Sequence, residues 1–349
     1  MKKILLMLAI VTGLYGTANA QQTGSFDTTI MFNGESRNIA FYVPTDYDAN
    51  KSYRLMVGLH GLGDNSISYR NAIISALQWN TQLPNTIFVF PDGGSDQGKD
   101  FYAPQGDEQI INESINLAKT NYNIADDDII LQGFSLGGRS ALKFGLENYT
   151  QFKGLILNTP AVQGIHDLNN DSLYYSIGYK YENADKIPIA LVHGAADLTY
   201  LGFDELVKKH LIMNNGIVEG EIIPKMPHTV PPIQFMKKYF DFIENPYRDG
   251  VDIDLFSLEM PQRTCDEKVI PTLLLRNTGG SESGSFILNV KVNGTDYQYT
   301  VEDNLSAYQS KLVNLDIPNL ILNNGNNEFN VTLLTLSEGN DVYMINDTC

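Results

Sequence analysis

The chain has 349 residues, of which 43% are hydrophobic, and it carries a formal net charge of −17 at pH 7. It is too long for one small domain. Because so acidic a surface would repel nucleic acids and anionic membranes, the composition excludes nucleic acid as a predicted partner and favours an uncharged one.

The first twenty residues have the three parts of a secretory signal peptide. Lys2 and Lys3 are basic, residues 4–16 form a short apolar stretch, and Ala18-Asn19-Ala20 matches an A-x-A cleavage site. The apolar stretch is too short to span a membrane. We therefore predict cleavage after Ala20, a secreted or cell-surface protein, and no membrane span.

Residues 54–59 form an apolar run, which predicts a buried strand. It leads into His60-Gly61-Leu62-Gly63-Asp64, in which two glycines leave the backbone bare. Such a loop at a strand end allows another group to approach its main-chain N–H groups. The simplest alternative is a glycine-rich turn that only connects the strand to a helix.

Residues 93–99 form a second glycine-rich turn, which comes close to a phosphate-binding loop. Asp100 stands where that loop requires Ser or Thr to hold magnesium, so we interpret the segment as an ordinary turn. Phe101 and Tyr102 follow it and are candidates for the lining of a substrate cleft.

The most informative stretch is Gly133-Phe134-Ser135-Leu136-Gly137-Gly138. It follows an apolar run, residues 128–132, that predicts a strand, and it precedes residues 139–145, which predict a helix. Strand, G-x-S-x-G and helix together are the context of a nucleophile elbow. Its glycines remove side chains that would clash at a sharp turn, so Ser135 is predicted to present its hydroxyl above a helix N-terminus.

A serine nucleophile needs a base, and in this arrangement the chain order is serine, acid, histidine. His228 fits that order, because it lies in a loop between a predicted strand at 221–223 and a predicted helix at 232–239. His60 lies before the serine, and His166 lies ahead of any suitable acid. His193 is predicted at a strand tip, where a structural role is expected, and His210 on a solvated helix.

Asp197 is the predicted acid, because it follows the strand at 187–192 and lies between Ser135 and His228. It would accept the imidazole Nδ1–H and fix the tautomer. Three other aspartates are alternatives for the acid. Asp185 lies before that strand, Asp204 in the following helix and Asp167 in a polar stretch.

A tetrahedral intermediate needs backbone N–H groups aimed at its developing negative charge. The residue after the nucleophile, Leu136, would supply one of them. The loop at 60–64 would supply the other, from Leu62 or, as the alternative, from Gly61.

Together these motifs resemble those of the α/β-hydrolase carboxylesterases. The HGLGD loop and the GFSxGG elbow are similar to the phospholipase/carboxylesterase and acyl-thioesterase group, although Leu136 stands where the thioesterases usually have glutamine. The opening segment, Phe32-Asn33-Gly34-Glu35-Ser36-Arg37 through Phe41-Tyr42-Val43-Pro44, looks more like the secreted feruloyl esterases and polyhydroxybutyrate-depolymerase-like enzymes. The resemblance covers roughly residues 28–243.

The resemblance implies an α/β-hydrolase fold, with a mostly parallel sheet and helices on both faces, and a serine hydrolase acting on carboxylic esters. Feruloyl or acetyl esters of polysaccharides are the first substrate hypothesis. A polyhydroxyalkanoate and a lysophospholipid are the alternatives. Residues 166–186 carry four tyrosines, of which Tyr174 is the candidate for the substrate pocket, and the alternative is a surface loop packed on the body.

After residue 250 the hydrophobic pattern of the sequence changes. Short alternating runs, and an Asn293-Gly294 hairpin signal, favour a β-sandwich. Residues 272–280 weakly resemble CARDB-like adhesion modules. We predict a catalytic domain at 21–247 and an all-β accessory domain at 250–349, the latter with a possible glycan or cell-surface contact.

Both cysteines, Cys265 and Cys349, lie in this second part. In an exported chain an isolated pair is expected to form a disulfide. Metal ligation and a reactive thiol are the alternatives, and neither has neighbouring His or Cys support.

We predict no cofactor and no metal, because the sequence contains neither H-E-x-x-H nor C-x-x-C. A hypothesis of another class is a surface adhesion or binding protein that keeps a degenerate hydrolase domain. Retention of Ser135, Asp197, His228 and the glycine-rich loop favours the enzyme.

Overall fold

The computed structural model of the protein describes residues 21–95, 99–101, 104–162, 178–261, 268–320 and 322–336. The signal peptide predicted at 1–20 lies outside these residues. So do Tyr102, Tyr174 and both cysteines, Cys265 and Cys349.

A nine-stranded, mostly parallel sheet forms the first part of the chain. Its strands are β1 Gly24–Phe32, β2 Glu35–Val43, β3 Tyr53–Leu59, β4 Thr86–Pro91, β5 Ile124–Phe134, β6 Gly154–Asn158, β7 Ile189–Gly194, β8 Val218–Glu219 and β9 Ile222–Ile223. Their order is β1-β2-β4-β3-β5-β6-β7-β8, with β9 also paired to β7. In the described part of this sheet, β1 with β2 and β2 with β4 pair antiparallel, and the other neighbouring strands pair parallel.

Helices cover both faces of this sheet. They are α1 Ser66–Arg70, α2 Pro104–Asn121, α3 Leu136–Glu147, α4 Leu201–Met213 and α5 Ile233–Glu244, with short 3-10 or π segments at Asn71–Ala76, Trp79–Thr81, Tyr149–Gln151 and Tyr181–Lys186. None of the helices in the described part of the chain has the length and hydrophobicity needed to span a bilayer.

The central strands read as continuous apolar runs because both of their faces are buried. In β3, Leu55 and Val57 join one hydrophobic cluster, with α2, α3 and α4, while Met56 joins the opposite cluster, with α1 and α5. The carboxyl ends of β5 and β7 therefore lie at one edge of a rigid, doubly covered sheet, and the predicted site residues follow those ends.

The remaining strands form two three-stranded antiparallel sheets, ordered β10-β11-β14 and β13-β12-β15. Their bounds are β10 Ile253–Glu259, β11 Thr272–Asn277, β12 Phe286–Val292, β13 Thr295–Val301, β14 Ser310–Asn314 and β15 Phe329–Leu336. Inward residues of both sheets share one hydrophobic cluster. The predicted hairpin is present, since Asn293 and Gly294 join β12 to β13 with φ of 51° and 84°.

The sheet β10-β11-β14 and the loop before β14 contact the first part of the chain directly. The guanidinium of Arg276 on β11 donates to the carbonyl oxygen of Val218 at 2.8 Å. The hydroxyl of Tyr308, which is buried in the cluster around α5, donates to the carbonyl of Pro246 at 2.6 Å. The second part of the chain is thus packed against the β8 edge of the large sheet.

Candidate active site

Ser135 occupies the sharp turn between β5 and α3. Its backbone has φ 54° and ψ −117°, a left-handed conformation that costs energy for a residue with a side chain. A Cβ on Gly133 would overlap the carbonyl of Gly137, and a Cβ on Gly137 would overlap the carbonyl of Leu59. The turn can therefore close only with glycine at these two positions, as the sequence predicted.

The carbonyl end of β6 fixes the elbow from a second side. The amide of Ser135 donates to the carbonyl of Asn158 at 3.1 Å, and the amide of Ala161 donates to the carbonyl of Ser135 at 2.8 Å. Leu136 is the first residue of α3, so its N–H is one of the helix donors that have no partner within the helix.

Asp197 and His228 meet at the ends of β7 and β9. Nδ1 of His228 lies 2.5 Å from Oδ2 of Asp197, and the Asp197 side chain is nearly fully buried. Oδ1 of the same carboxylate accepts the N–H of Thr199 at 3.3 Å. With Nδ1 donating to the carboxylate, Nε2 of His228 is the nitrogen that can accept a proton.

Main-chain hydrogen bonds bring the two loops together. The N–H groups of Ala195 and Ala196 donate to the carbonyls of Ile223 and Met226, both at 2.9 Å. A Cβ on Gly194 would overlap the carbonyl of Met226, so close packing of the loops depends on this glycine.

The imidazole of His228 lies beside the elbow. Its ring centroid is 4.9 Å from that of Phe134, the residue before Ser135, and 5.1 Å from that of Tyr200. The predicted base therefore contacts two aromatic rings, one of which belongs to the residue directly before the predicted nucleophile.

The loop after β3 also reaches the elbow. The N–H of Gly137 donates to the carbonyl of His60 at 3.1 Å, and a Cβ on Gly61 would lie 3.2 Å from Cβ of Ser135. The N–H of Asp64 donates to the carbonyl of Gly61 at 3.3 Å, and Gly63 has φ 73°, which together describe a type II turn. Leu62 occupies the first central position of that turn, with its side chain largely exposed.

Two aspartates that sequence reasoning missed support this loop. Oδ1 of buried Asp100 accepts the N–H of Gly63 at 2.8 Å. The carboxylate of fully buried Asp92 accepts the N–H groups of Ser66 and Asn38, both at 3.0 Å. The sequence offers only a weak signal, since Asp92 directly follows β4 and Asp100 ends the glycine-rich turn after the same strand.

His193 and Asp204 form a second pair behind Asp197. Nδ1 of His193 is hydrogen-bonded to Oδ2 of Asp204, and its Nε2 lies 3.4 Å from both the carbonyl oxygen and Oδ2 of Asp197. Asp204, a rival for the role of acid, thus bonds His193 and not His228. Burial raises the pKa of the Asp204 carboxyl to about 7. Burial opposes protonation of His193, but the hydrogen bond and charge of Asp204 outweigh it, so the pKa of the imidazole is raised.

The other predicted site residues are not brought together. Phe101 is fully buried, with its ring edge-on to His60 at 4.9 Å between centroids, so it belongs to the hydrophobic core and not to an open cleft lining. The sequence could not distinguish the two, because strand-end aromatics occur in both places. Tyr102 and Tyr174 lie outside the described residues.

Several known proteins are similar in sequence to this chain. The model of the Esterase family matches residues 31–209 of the chain, which are 179 of its 349 residues. The bifunctional acetylxylan esterase/xylanase XynS20E of Neocallimastix patriciarum is 33% identical over 109 residues, or 30% of this chain. The match spans only 15% of that relative's length.

A second relative, named "Probable feruloyl esterase C", from Aspergillus terreus, is 26% identical over 227 residues, covering 62% of this chain and 78% of that protein. Among solved structures, the CE1 ferulic acid esterase AmCE1/Fae1A of Anaeromyces mucronatus has a TM-score of 0.49 at 21% identity, covering 63% of this chain and 89% of that chain. Because the family match covers more than half of the sequence, the protein belongs to the Esterase family.

Proposed function

We propose that the protein is a secreted serine esterase in which Ser135, Asp197 and His228 form the catalytic triad. The observation that carries the proposal is the hydrogen bond between Asp197 and His228 beside an elbow whose serine has a strained backbone. A buried carboxylate that orients an imidazole next to a serine is the arrangement that makes a hydroxyl nucleophilic.

The reaction is acyl transfer to water. Oγ of Ser135 bonds to the ester carbonyl carbon while Nε2 of His228 takes the hydroxyl proton. The carbonyl π electrons move to oxygen, which accepts hydrogen bonds from the N–H groups of Leu62 and Leu136. Collapse breaks the bond to the alcohol, which leaves with the proton from His228. Water then attacks the acyl-enzyme in the same way, and the acid and free Ser135 are released.

Asp197 supports these reaction steps without taking the proton itself. Its carboxylate accepts Nδ1–H, which leaves Nε2 unprotonated toward the serine, and it stabilises the imidazolium that forms in each half-reaction. The almost complete burial of Asp197 strengthens that interaction, because little water competes for the carboxylate.

The substrate we propose is a feruloyl or acetyl ester of a polysaccharide. The names of the two curated relatives support this, since one is an acetylxylan esterase/xylanase and the other a feruloyl esterase. Aromatic rings of Phe134 and Tyr200 flank His228, and the side chains of Leu62 and Leu198 are exposed on neighbouring loops. These groups suit a flat, weakly polar acyl group.

Relative rates on three esters test the substrate class. We expect kcat/KM on methyl ferulate and p-nitrophenyl acetate to exceed that on p-nitrophenyl octanoate by at least about tenfold, since a 1.4 kcal/mol preference suffices. Ser135→Ala serves as the blank for each substrate. A preference for octanoate would favour the lysophospholipid or polyester alternatives.

For the rest of the chain we propose a catalytic domain at 21–247, a β-sandwich accessory domain at 250–349, and export with cleavage after Ala20. The shared core of the two small sheets supports the second domain. We further propose a disulfide between Cys265 and Cys349, which the intact mass of the exported protein tests. Alkylation without reductant should add no mass, and alkylation after reduction should modify two thiols.

A further inference from the structure

Three nearly fully buried side chains form a row behind the proposed base. Asp197, His193 and Asp204 each have a side-chain exposure of 3%. His193 lies between the two carboxyl groups, with Nδ1 bonded to Asp204 and Nε2 in a long, bifurcated contact with Asp197 at 3.4 Å. Two buried carboxylates this close to one another would repel, and the imidazole separates them.

The position of the proton shared by His193 and Asp204 determines whether His193 can donate a hydrogen bond to Asp197. If the shared proton is on His193, the imidazolium has N–H at both nitrogens. If it is on Asp204, the carboxylic acid donates to Nδ1, and the neutral ring must carry its hydrogen on Nε2. In both cases an N–H on Nε2 points at Asp197. The remaining state, a neutral ring with its hydrogen on Nδ1, would face two acceptor oxygens of Asp197 with a lone pair, which is unfavourable, so we infer that the pair keeps the shared proton and acts as a hydrogen-bond donor.

The same oxygen of Asp197 receives the contacts of both imidazoles. Oδ2 accepts from Nδ1 of His228 and also faces Nε2 of His193. A donor behind a carboxylate favours its ionised form and fixes the plane of the group. The outer side of the pair faces away from this contact, where His193 and Asp204 line a cavity of about 630 Å³ together with Leu201 and Lys208.

We propose that His193 and Asp204 are positioning residues of the esterase, which hold the carboxylate of Asp197 oriented toward His228. The inference rests on the proposed triad and extends it by two side chains. The fold supplies the geometry, since His193 is near the end of β7 and Asp204 is in the first turn of α4, while the N–H of Leu201 donates to the carbonyl of Asp197 at 3.3 Å.

Substitution of His193 tests the proposal through the N–H at the Nε2 position. His193→Gln keeps an amide N–H near that position, whereas His193→Leu removes it. We expect the Leu variant to lose kcat by roughly 10- to 100-fold, the effect of one hydrogen bond to a charged group, with KM changed less than about threefold. The Gln variant should recover most of this loss.

Substitution of Asp204 tests the proton count. Asp204→Asn can donate to Nδ1 and keep the hydrogen of His193 on Nε2, so its kcat should stay within about threefold of the wild type. Asp204→Leu leaves Nδ1 without a partner, and kcat should fall by about tenfold. This pair carries the test if His193→Leu does not fold, as judged by thermal unfolding of each variant.

His210→Leu is the matched control, because His210 also lies on α4 but stacks on Tyr181, away from Asp197. It should leave kcat unchanged. The proposal is overturned if His193→Leu folds and retains kcat, or if the Gln and Leu variants lose it equally. Ser135→Ala distinguishes failure of the positioning role from failure of the proposed triad. If Ser135→Ala is inactive while all His193 and Asp204 variants are active, the triad stands and the positioning role fails. If Ser135→Ala is active, the proposed function itself fails.

Discussion

Oδ2 of Asp197 lies 2.5 Å from Nδ1 of His228, although 31 positions separate the two residues in the chain. Main-chain hydrogen bonds from Ala195 and Ala196 to the loop before His228 hold the two groups in register. The proposed acid and base are therefore placed by the ends of adjacent strands and by main-chain hydrogen bonds as well as by their own contact.

Asp197→Asn should reduce kcat by about 10³- to 10⁴-fold while KM and the fold are retained, because the amide disrupts the required tautomer of His228. Steady-state kinetics on p-nitrophenyl acetate, with circular dichroism as the fold control, measure this. Asp204→Asn is the matched comparison. If Asp197→Asn is harmless and Asp204→Asn is not, Asp197 is not the acid.

Leu62→Pro should reduce kcat by about 10²- to 10³-fold, because proline removes the backbone N–H that we assign to the oxyanion. Proline is well accommodated at the first central position of a type II turn, which Leu62 occupies. Leu62→Ala keeps the N–H and should retain kcat within about threefold. Equal activity of the two variants would exclude Leu62 as a donor and direct attention to Gly61.

Gly137→Ala should destabilise the protein by about 1–3 kcal/mol or more and abolish most activity, because the new Cβ would overlap the carbonyls of Leu59 and His60. Gly202→Ala is the control, since a Cβ at that exposed helical position meets nothing within 4 Å. It should be neutral or slightly stabilising. Thermal unfolding and esterase assays on both variants check this, and a fully stable Gly137→Ala would contradict the close approach.

Asp107 should make stability depend on pH. Burial raises the pKa of its carboxyl from 3.8 to about 7, although the N–H of Gly94 and the hydroxyl of Ser140 donate to it at 2.9 and 3.1 Å. The folded state therefore keeps a proton that the unfolded state loses above about pH 4, so this contribution to stability is present at low pH and declines as pH rises toward 7.

Asp107→Asn removes that proton linkage while preserving the shape of the side chain. The free energy of unfolding of the variant, relative to that of the wild type, should increase between pH 4 and pH 8, by at most about 4 kcal/mol, so the variant gains stability relative to the wild type as pH rises. Urea unfolding at the two pH values measures the difference. The same difference at both pH values would mean that the carboxyl of Asp107 is not protonated preferentially in the folded protein.

Local rules in the sequence were enough to predict the elbow. The spacing of the two glycines is visible in the chain. Gly133 is required by a close contact with Gly137 inside the strand-turn-helix unit, whereas Gly137 is required by close contacts with the carbonyls of Leu59 and His60 outside it. The Asn293-Gly294 hairpin is local in the same way. An identical signal, Asn33-Gly34, joins β1 to β2 with φ of 49° and 81°.

Contacts made in three dimensions were not predictable. The sequence predicts a structural role for His193 and leaves Asp204 as a rival acid, because nothing in their spacing of 11 residues shows that a strand tip and a helix start converge. The sequence indicates only that Asp100 is unsuited to magnesium, yet its carboxylate accepts a hydrogen bond from Gly63 in the loop that contains Leu62. These roles depend on which strand ends meet, and the sequence pattern alone does not encode that.

Covalent labelling with a fluorophosphonate tests the central claim most directly, since the probe reacts with a serine only where a base and an oxyanion site are assembled around it. Peptide mass spectrometry should place one label per chain on Ser135, and His228→Ala should label far more slowly. Label on another residue, or an active and labelled Ser135→Ala variant, would contradict the account.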